Sequence, residues 1–259
     1  MRPASSGTSV ARLGPGPAKY HLVRLVLKVI AGAYLRIRYE GVEHIPDEPY
    51  IICINHPSWV DPIVLAASWP DRRRRLFIFG PRERDMSVGW RNHLIMWTGR
   101  GVHFKPAGAD VLDATRRATA VLRAGGLLVV AGEGRLSDRE SEALPIETGV
   151  AHFAMLSGAT ILPTAIIGTR WVHFGGTIRL RVGTPIRVGG VASGHTGARE
   201  LTDRIEVQLA ELLSGVQESE PPGRFGRWLS DAFNDRPWLT EARTDAGAPP
   251  PAPKGPAER

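Results

Sequence analysis

Cysteine is almost missing from this chain: its 259 residues hold one, Cys53. A disulfide within the chain is therefore impossible, and so is a metal cluster built on several thiolates. Cys53 stands inside the apolar run YIICI, with no basic neighbour in sequence to favour a thiolate. It reads as a small buried hydrophobe rather than a nucleophile. Also missing is a long apolar run free of charge. Spanning a bilayer takes about 20 predominantly apolar residues, and charges interrupt every candidate stretch here. The N-terminal MRPASSGTSVARLGPGP has no apolar h-region, so no secretory signal is expected. There is no helix-turn-helix or zinc-finger spacing, and nucleic acid is not expected as a partner. A Gly-x-Gly follows the apolar run LLVVA, but Ser137 stands where a dinucleotide fingerprint needs its third glycine.

What is present allows a sizeable core and favours an anionic partner. Hydrophobic residues make up 42%, and 33 basic against 26 acidic residues give a formal charge of +7. Such a balance suits lipid headgroups or a phosphorylated substrate. Near the N-terminus, KYHLVRLVLKVIAGAYLRIRY has the periodicity of an amphipathic helix over 17–38. Arg24, Lys28 and Arg36 fall on one i, i+4 line, and Leu22, Leu25, Val26, Val29 and Ile30 cover much of the rest. Two readings stay open: a helix lying in a membrane interface, or a core helix with one solvated stripe. Residues 1–16 and the Pro-rich TDAGAPPPAPKGPAER should be disordered, since neither can bury a core. Before the Pro-rich end, Phe225, Trp228, Phe233 and Trp238 stand beside Arg224, Arg227 and Arg236, a composition suited to the headgroup level.

Between these ends, strands and helices alternate. YIICI, RLFIFG, GVHFK, LLVVA and TILPTAII read as strands, and TIRLRVGTPI as a strand pair or extended segment. Helices are predicted around DPIVLAAS, GWRNHLIMW, DVLDATRRATAVLRAG, VAHFAMLSG and GARELTDRIEVQLAELLSG. The predicted fold is α/β, with a central mixed sheet flanked by helices and an amphipathic helix in front.

The chemistry concentrates where strands end. His56 follows YIICI, and open α/β sheets bind ligands at such strand ends. Histidine is the side chain best suited to take a proton near neutral pH. Asp61 lies five residues on, before Pro62, where it is expected as the N-cap of the next helix. If the intervening turn folds back, Asp61 also reaches His56. If it does not, Asp61 only caps, and His56 is a surface histidine. After LLVVA come Glu133, Gly134 and Arg135. Glycine between a carboxylate and a guanidinium lets backbone approach a ligand, and arginine binds phosphate through paired donors. Lys105, at the end of GVHFK, offers a point charge. The Arg72–Arg75 run reads as a solvated loop, or as cations for an anionic surface.

Taken together, these segments resemble the glycerolipid acyltransferase family that includes lysophosphatidic acid acyltransferases. NHPSWVDP is similar to its Asn-His-x4-Asp block, GRGVHFK to its second block, GEGRLS to its Glu-Gly block and ILPTAI to its fourth, in the family's order. The chain departs at Ala131-Gly132, where the family usually shows Phe-Pro, and at Lys105, which replaces an arginine. Arg135 comes two residues after Glu133 rather than the common three. The resemblance implies an acyltransferase domain over 39–216, followed by an aromatic, basic and Pro-rich segment over 217–259. It implies that His56 deprotonates an acceptor hydroxyl, which attacks the thioester of acyl-CoA or acyl-carrier protein. Asp61 would orient His56, and Asn55, Lys105, Glu133, Gly134 and Arg135 would bind substrate. No metal, cofactor or covalent intermediate is implied. The implied partners are the acyl thioester donor, a lysophospholipid acceptor and anionic membrane lipid. The implied location is the cytoplasmic face of the membrane, peripheral or monotopic.

Overall fold

The computed structural model describes residues 18–81, 101–104, 110–137 and 139–228. The helix expected around GWRNHLIMW, residues 1–16, Lys105, Phe233, Trp238 and the Pro-rich segment lie outside the described residues. The strands are β1 Arg36–Glu40, β2 Tyr50–Ile54, β3 Leu76–Pro81, β4 Gly101–Phe104, β5 Leu127–Ala131, β6 Thr160–Ile167 and β7 Thr177–Val182. The helices are α1 Ala18–Tyr34, α2 Asp61–Ser68, α3 Asp110–Arg123, α4 Gly149–Ser157 and α5 Gly194–Leu213.

Among the described residues, seven strands form one sheet in the order β1-β7-β6-β2-β5-β3-β4. From β6 to β4 all neighbours are parallel. β7 runs antiparallel to β6, and β1 runs parallel to β7. The sheet is therefore mixed and the fold α/β. β2 and β5 lie at its centre, buried on both faces, which is why YIICI and LLVVA are continuous apolar runs rather than alternating ones. Ile51 and Cys53 point to one core with Leu128, Val130 and residues of α3, α4 and α5. Tyr50, Ile52 and Ile54 point to the other, with Leu65 and Trp69 from the α2 side. The polar atoms of this second core are paired. The Trp69 indole donates to the Tyr50 hydroxyl at 2.8 Å, which donates to Asp71 at 3.2 Å.

Two expectations need correcting. The N-terminal helix stops at Tyr34 rather than continuing to residue 38, and Arg36–Glu40 is strand β1. The side chains RIRYE alternate on a two-residue period, and the segment gains backbone bonds to β7 that a helix could not make. The expected line of cations also dissolves. Arg36 belongs to β1, and Arg24 turns inward to donate to the Trp69 carbonyl at 2.7 Å and the Tyr20 hydroxyl at 3.2 Å. Burial lowers the Arg24 pKa, with the charges of Asp71 and Tyr39 opposing. The side of α1 turned to solvent is instead apolar: Leu22, Leu25, Val26, Val29 and Ile30 are all exposed, Val29 by 62%.

Candidate active site

β2, β5 and β6 run parallel, so their C-terminal ends share one edge of the sheet. His56 leaves β2 there, and Glu133 leaves β5. The four residues between His56 and Asp61 form a compact turn. The Asp61 N–H donates to the Ser58 carbonyl at 3.1 Å, and the Val60 N–H donates to the Ser58 hydroxyl at 3.3 Å. The helical twist therefore begins one residue earlier than expected. Val60 occupies the cap position in a helical conformation, and Asp61 is the first residue of α2 without capping it. Side chains in a helix lean toward its N-terminus. Asp61 leans back over the turn, where Oδ2 accepts from His56 Nδ1 at 2.9 Å and from the Ser58 N–H at 3.0 Å.

A carboxylate only accepts, so the hydrogen between His56 and Asp61 belongs to Nδ1, and the neutral form of the ring is the tautomer protonated there. Nε2 then carries the lone pair, and it has no hydrogen-bond partner among the described residues. The His56 side chain is 12% exposed and that of Asp61 is fully buried, so the imidazole reaches the surface while its partner does not. Asp61 Oδ1 is buried with no hydrogen bond among the described residues. His56 and Ser58 thus carry the burden of satisfying this carboxylate.

The third block grips His56 from the other side. Glu133 Oε2 accepts from the His56 N–H at 3.3 Å, and Oε1 accepts from the Leu144 N–H at 3.1 Å. The Ser137 N–H donates to the His56 carbonyl at 2.7 Å. His56 is thus held at its amide, its carbonyl and Nδ1. Glu133 is only 3% exposed. Burial raises its pKa, opposed by the two backbone N–H donors and the charge of His56, with Asp61 adding to the rise.

The other expected site residues divide. Asn55 is fully buried, with its amide facing β6: Nδ2 donates to the Ile166 carbonyl at 3.0 Å, and Oδ1 accepts from the Ile166 N–H at 2.7 Å. It joins β2 to β6 beyond the end of the strand pairing. Gly134 adopts φ 65°, a left-handed turn that suits glycine, and both it and Arg135 are exposed. Arg135 makes no ion pair or hydrogen bond with a described residue. Lys105 lies outside the described residues. Gly132 explains the departure from Phe-Pro: a Cβ there would lie 2.7 Å from Cys53 Sγ and 3.0 Å from Ile146 Cδ1. Cys53 itself is fully buried, and burial followed by the Glu133 charge pushes its thiol pKa up, away from nucleophilic use. Of the arginine run, Arg73 pairs with Asp47 and Asp71, and Arg74 donates to the Asp47 carbonyl. These groups precede β3, at the edge opposite His56.

Sequence reasoning missed the carboxylates that hold the long loop after β5. Glu206 of α5 accepts from the Ile146 N–H at 2.7 Å. Fully buried Glu140 accepts from the N–H groups of Gly168 at 2.9 Å and Arg170 at 2.8 Å, and from the Ser219 hydroxyl. Glu218 accepts from the N–H groups of Glu140 and Ser141 at 3.1 and 3.0 Å. Only the glutamates themselves are visible locally, because their partners lie up to 79 residues away.

The parallel-sheet edge thus carries a buried Asp, an outward-facing His and an exposed Arg, side chains chemically able to move a proton and to meet an anion. The sequence model of the Acyltransferase family matches residues 36–167, just over half of the chain. The protein belongs to this acyltransferase family. Its fold is similar to that of the crystal structure of the 1-acyl-sn-glycerophosphate (LPA) acyltransferase PlsC from Thermotoga maritima. The TM-score is 0.57 at 20% identity, over 76% of this chain and 81% of that one.

Proposed function

We propose that this acyltransferase moves a fatty acyl group from acyl-CoA or acyl-carrier protein to a hydroxyl of a lysophospholipid such as 1-acylglycerol-3-phosphate. The observation that carries the reading is the 2.9 Å His56–Asp61 pair at the strand edge, with Nε2 left over. Nε2 takes the proton of the acceptor hydroxyl. The oxygen attacks the thioester carbonyl, the new C–O bond forms, the C–S bond breaks, and His56 returns the proton to the departing thiolate. Asp61 holds the tautomer and stabilises the imidazolium that forms. Arg135 and Lys105 meet the acceptor phosphate. Similarity to a protein described as acting on 1-acyl-sn-glycerophosphate supports that acceptor class.

The acceptor is amphiphilic, and α1 offers a matching surface. Its exposed Leu22, Leu25, Val26, Val29 and Ile30 favour the interfacial reading over the core-helix one, since no described element covers them. No described helix is long and apolar enough to cross a membrane. We place α1 on the cytoplasmic leaflet, where a cytosolic thioester reaches the site.

The test is thiol release from acyl-CoA across a panel of lysophospholipid, lyso-aminolipid and lyso-glycolipid acceptors, with the lipid products identified. A new ester formed best on phosphate-bearing acceptors supports the proposal. Free fatty acid as the product makes the protein a hydrolase and overturns it.

A further inference from the structure

Three chain segments that are distant in sequence meet beside the site edge and leave aromatic rings outward. The loop between β6 and β7 carries Phe174, 74% exposed, whose ring lies 5.7 Å from that of Tyr34 at the end of α1. The loop is tied there by backbone bonds from Gly175 to the Tyr34 carbonyl at 2.8 Å and from Arg36 to the Gly176 carbonyl at 2.8 Å. A helical turn at 224–228 presses on the same loop: Gly226 is buried, and a Cβ on it would meet Pro222 at 2.7 Å and His173 at 3.5 Å. That turn projects Phe225 and Trp228, 68% and 62% exposed, with ring centroids 5.7 Å apart. Exposed Arg224 and Arg227 flank them.

We propose that Phe174, Phe225 and Trp228 form a second bilayer contact, adjoining the end of the stripe on α1, that fixes how the His56 edge faces the membrane. This rests on the reading of the acceptor as a membrane lipid. Three observations favour a bilayer as the occupant. The rings begin where the exposed apolar stripe of α1 ends, through the Tyr34–Phe174 contact, so the two surfaces are continuous. Aromatic rings beside arginines suit the headgroup level of an anionic leaflet. The surface is also coupled to the site: Val172, two residues before Phe174, packs with Val60 inside the His56–Asp61 turn. A single contact along α1 leaves the protein free to roll about that helix, whereas a second contact at its end removes that freedom.

The experiment compares the full-length protein with Phe174→Ala and with the triple variant Phe174→Ala, Phe225→Ala, Trp228→Ala. Flotation is measured on vesicles of phosphatidylglycerol and phosphatidylcholine. Turnover is measured on lysophosphatidic acid embedded in those vesicles and on a short-chain lysophosphatidic acid below its micellar concentration. Flotation should fall about tenfold for the single variant, from the lost burial of one aromatic ring, and further for the triple. Turnover on embedded acceptor should fall in step, while turnover on monomeric acceptor and the melting temperature stay unchanged. Unchanged flotation overturns the proposal, as does an equal loss on both acceptors. A wild-type dimer that the triple variant abolishes, with flotation unaffected, overturns it by assigning the rings to a second copy of the chain. If the wild type turns over neither acceptor yet the variants lose flotation, the docking stands and the catalytic reading fails.

Discussion

Replacing Glu133 with glutamine separates positioning of the base from contact with the acceptor. The carboxylate accepts two backbone N–H groups, of His56 at 3.3 Å and Leu144 at 3.1 Å. The amide has one oxygen, so one N–H must face an NH2 group and lose its partner. A buried donor left unpaired costs about 1–3 kcal/mol. The same change removes a buried charge whose raised pKa shows that it is held at a cost. The two effects oppose, so Glu133→Gln should destabilise by about 1 kcal/mol, at the low end of that range, lowering Tm by roughly 2–4 °C. Catalysis should suffer more. The His56 peptide loses one of its three holds, and misplacement of a reacting group by about 1 Å costs on the order of 10²-fold. We expect kcat to fall about 10- to 100-fold, with KM for thioester and acceptor each within about twofold of wild type. The assay is steady-state thiol release with both substrates varied, alongside a thermal melt. A large rise in acceptor KM at unchanged kcat would refute the reasoning and make Glu133 a substrate contact.

The raised Glu133 pKa also predicts a pH dependence: the folded protein binds this proton more readily than the unfolded chain, so the group adds stability below about pH 4.3 and loses it as pH rises through its folded value. Wild type should therefore gain stability relative to Glu133→Gln on acidification, as read by denaturant titrations at several pH values; the opposite slope would contradict the burial argument. Asp61→Asn should cut kcat at least 10²-fold with the fold kept, because an amide donating to Nδ1 moves the ring hydrogen to Nε2, and His56→Ala should fall as far; near-normal turnover in either folded variant removes the dyad. Gly132→Ala forces a methyl against Cys53 and Ile146 and should cost about 1–3 kcal/mol, and adding Cys53→Ala should recover part of it in a double-mutant cycle; additive losses would place the strain elsewhere. Arg135→Ala should raise KM for a phosphate-bearing acceptor several-fold more than KM for the thioester, and equal effects on both would count against phosphate recognition.

Much of the fold was legible because its signals are local. β2, β5 and β6 are buried on both faces and appear as unbroken apolar runs, and helices α3 and α5 keep a clear period between turn residues. The end of α1 was misread because RIRYE continues an amphipathic pattern that helix and edge strand share; pairing with β7, 141 residues away at Glu40 and Arg181, decides it. The orientation of α1 was equally hidden. Its composition shows two faces, but only the contact of Arg24 with Trp69 reveals which one turns inward. At the site, the spacing of His56 and Asp61 carried the pair, while the capping role assigned to Asp61 gave way to the turn at Ser58. Asn55 and Glu133 were expected to touch substrate. Both spend their polar atoms on backbone groups 111, 77 and 11 residues away, and no local pattern in the sequence shows such partners.

The lone cysteine has a practical consequence. Cys53, within β2, is wholly enclosed with Gly132 beside its sulfur, and its thiol is held far from ionisation. A disulfide reagent added to the folded protein therefore finds no native thiolate and reports only the thiol freed from the donor, so turnover can be followed continuously without blocking the protein. The same silence makes the chain a clean background for reporters. A cysteine introduced at Phe174 or Trp228 would be the sole reactive thiol, and an environment-sensitive dye placed there would show how deeply each position sits in the lipid.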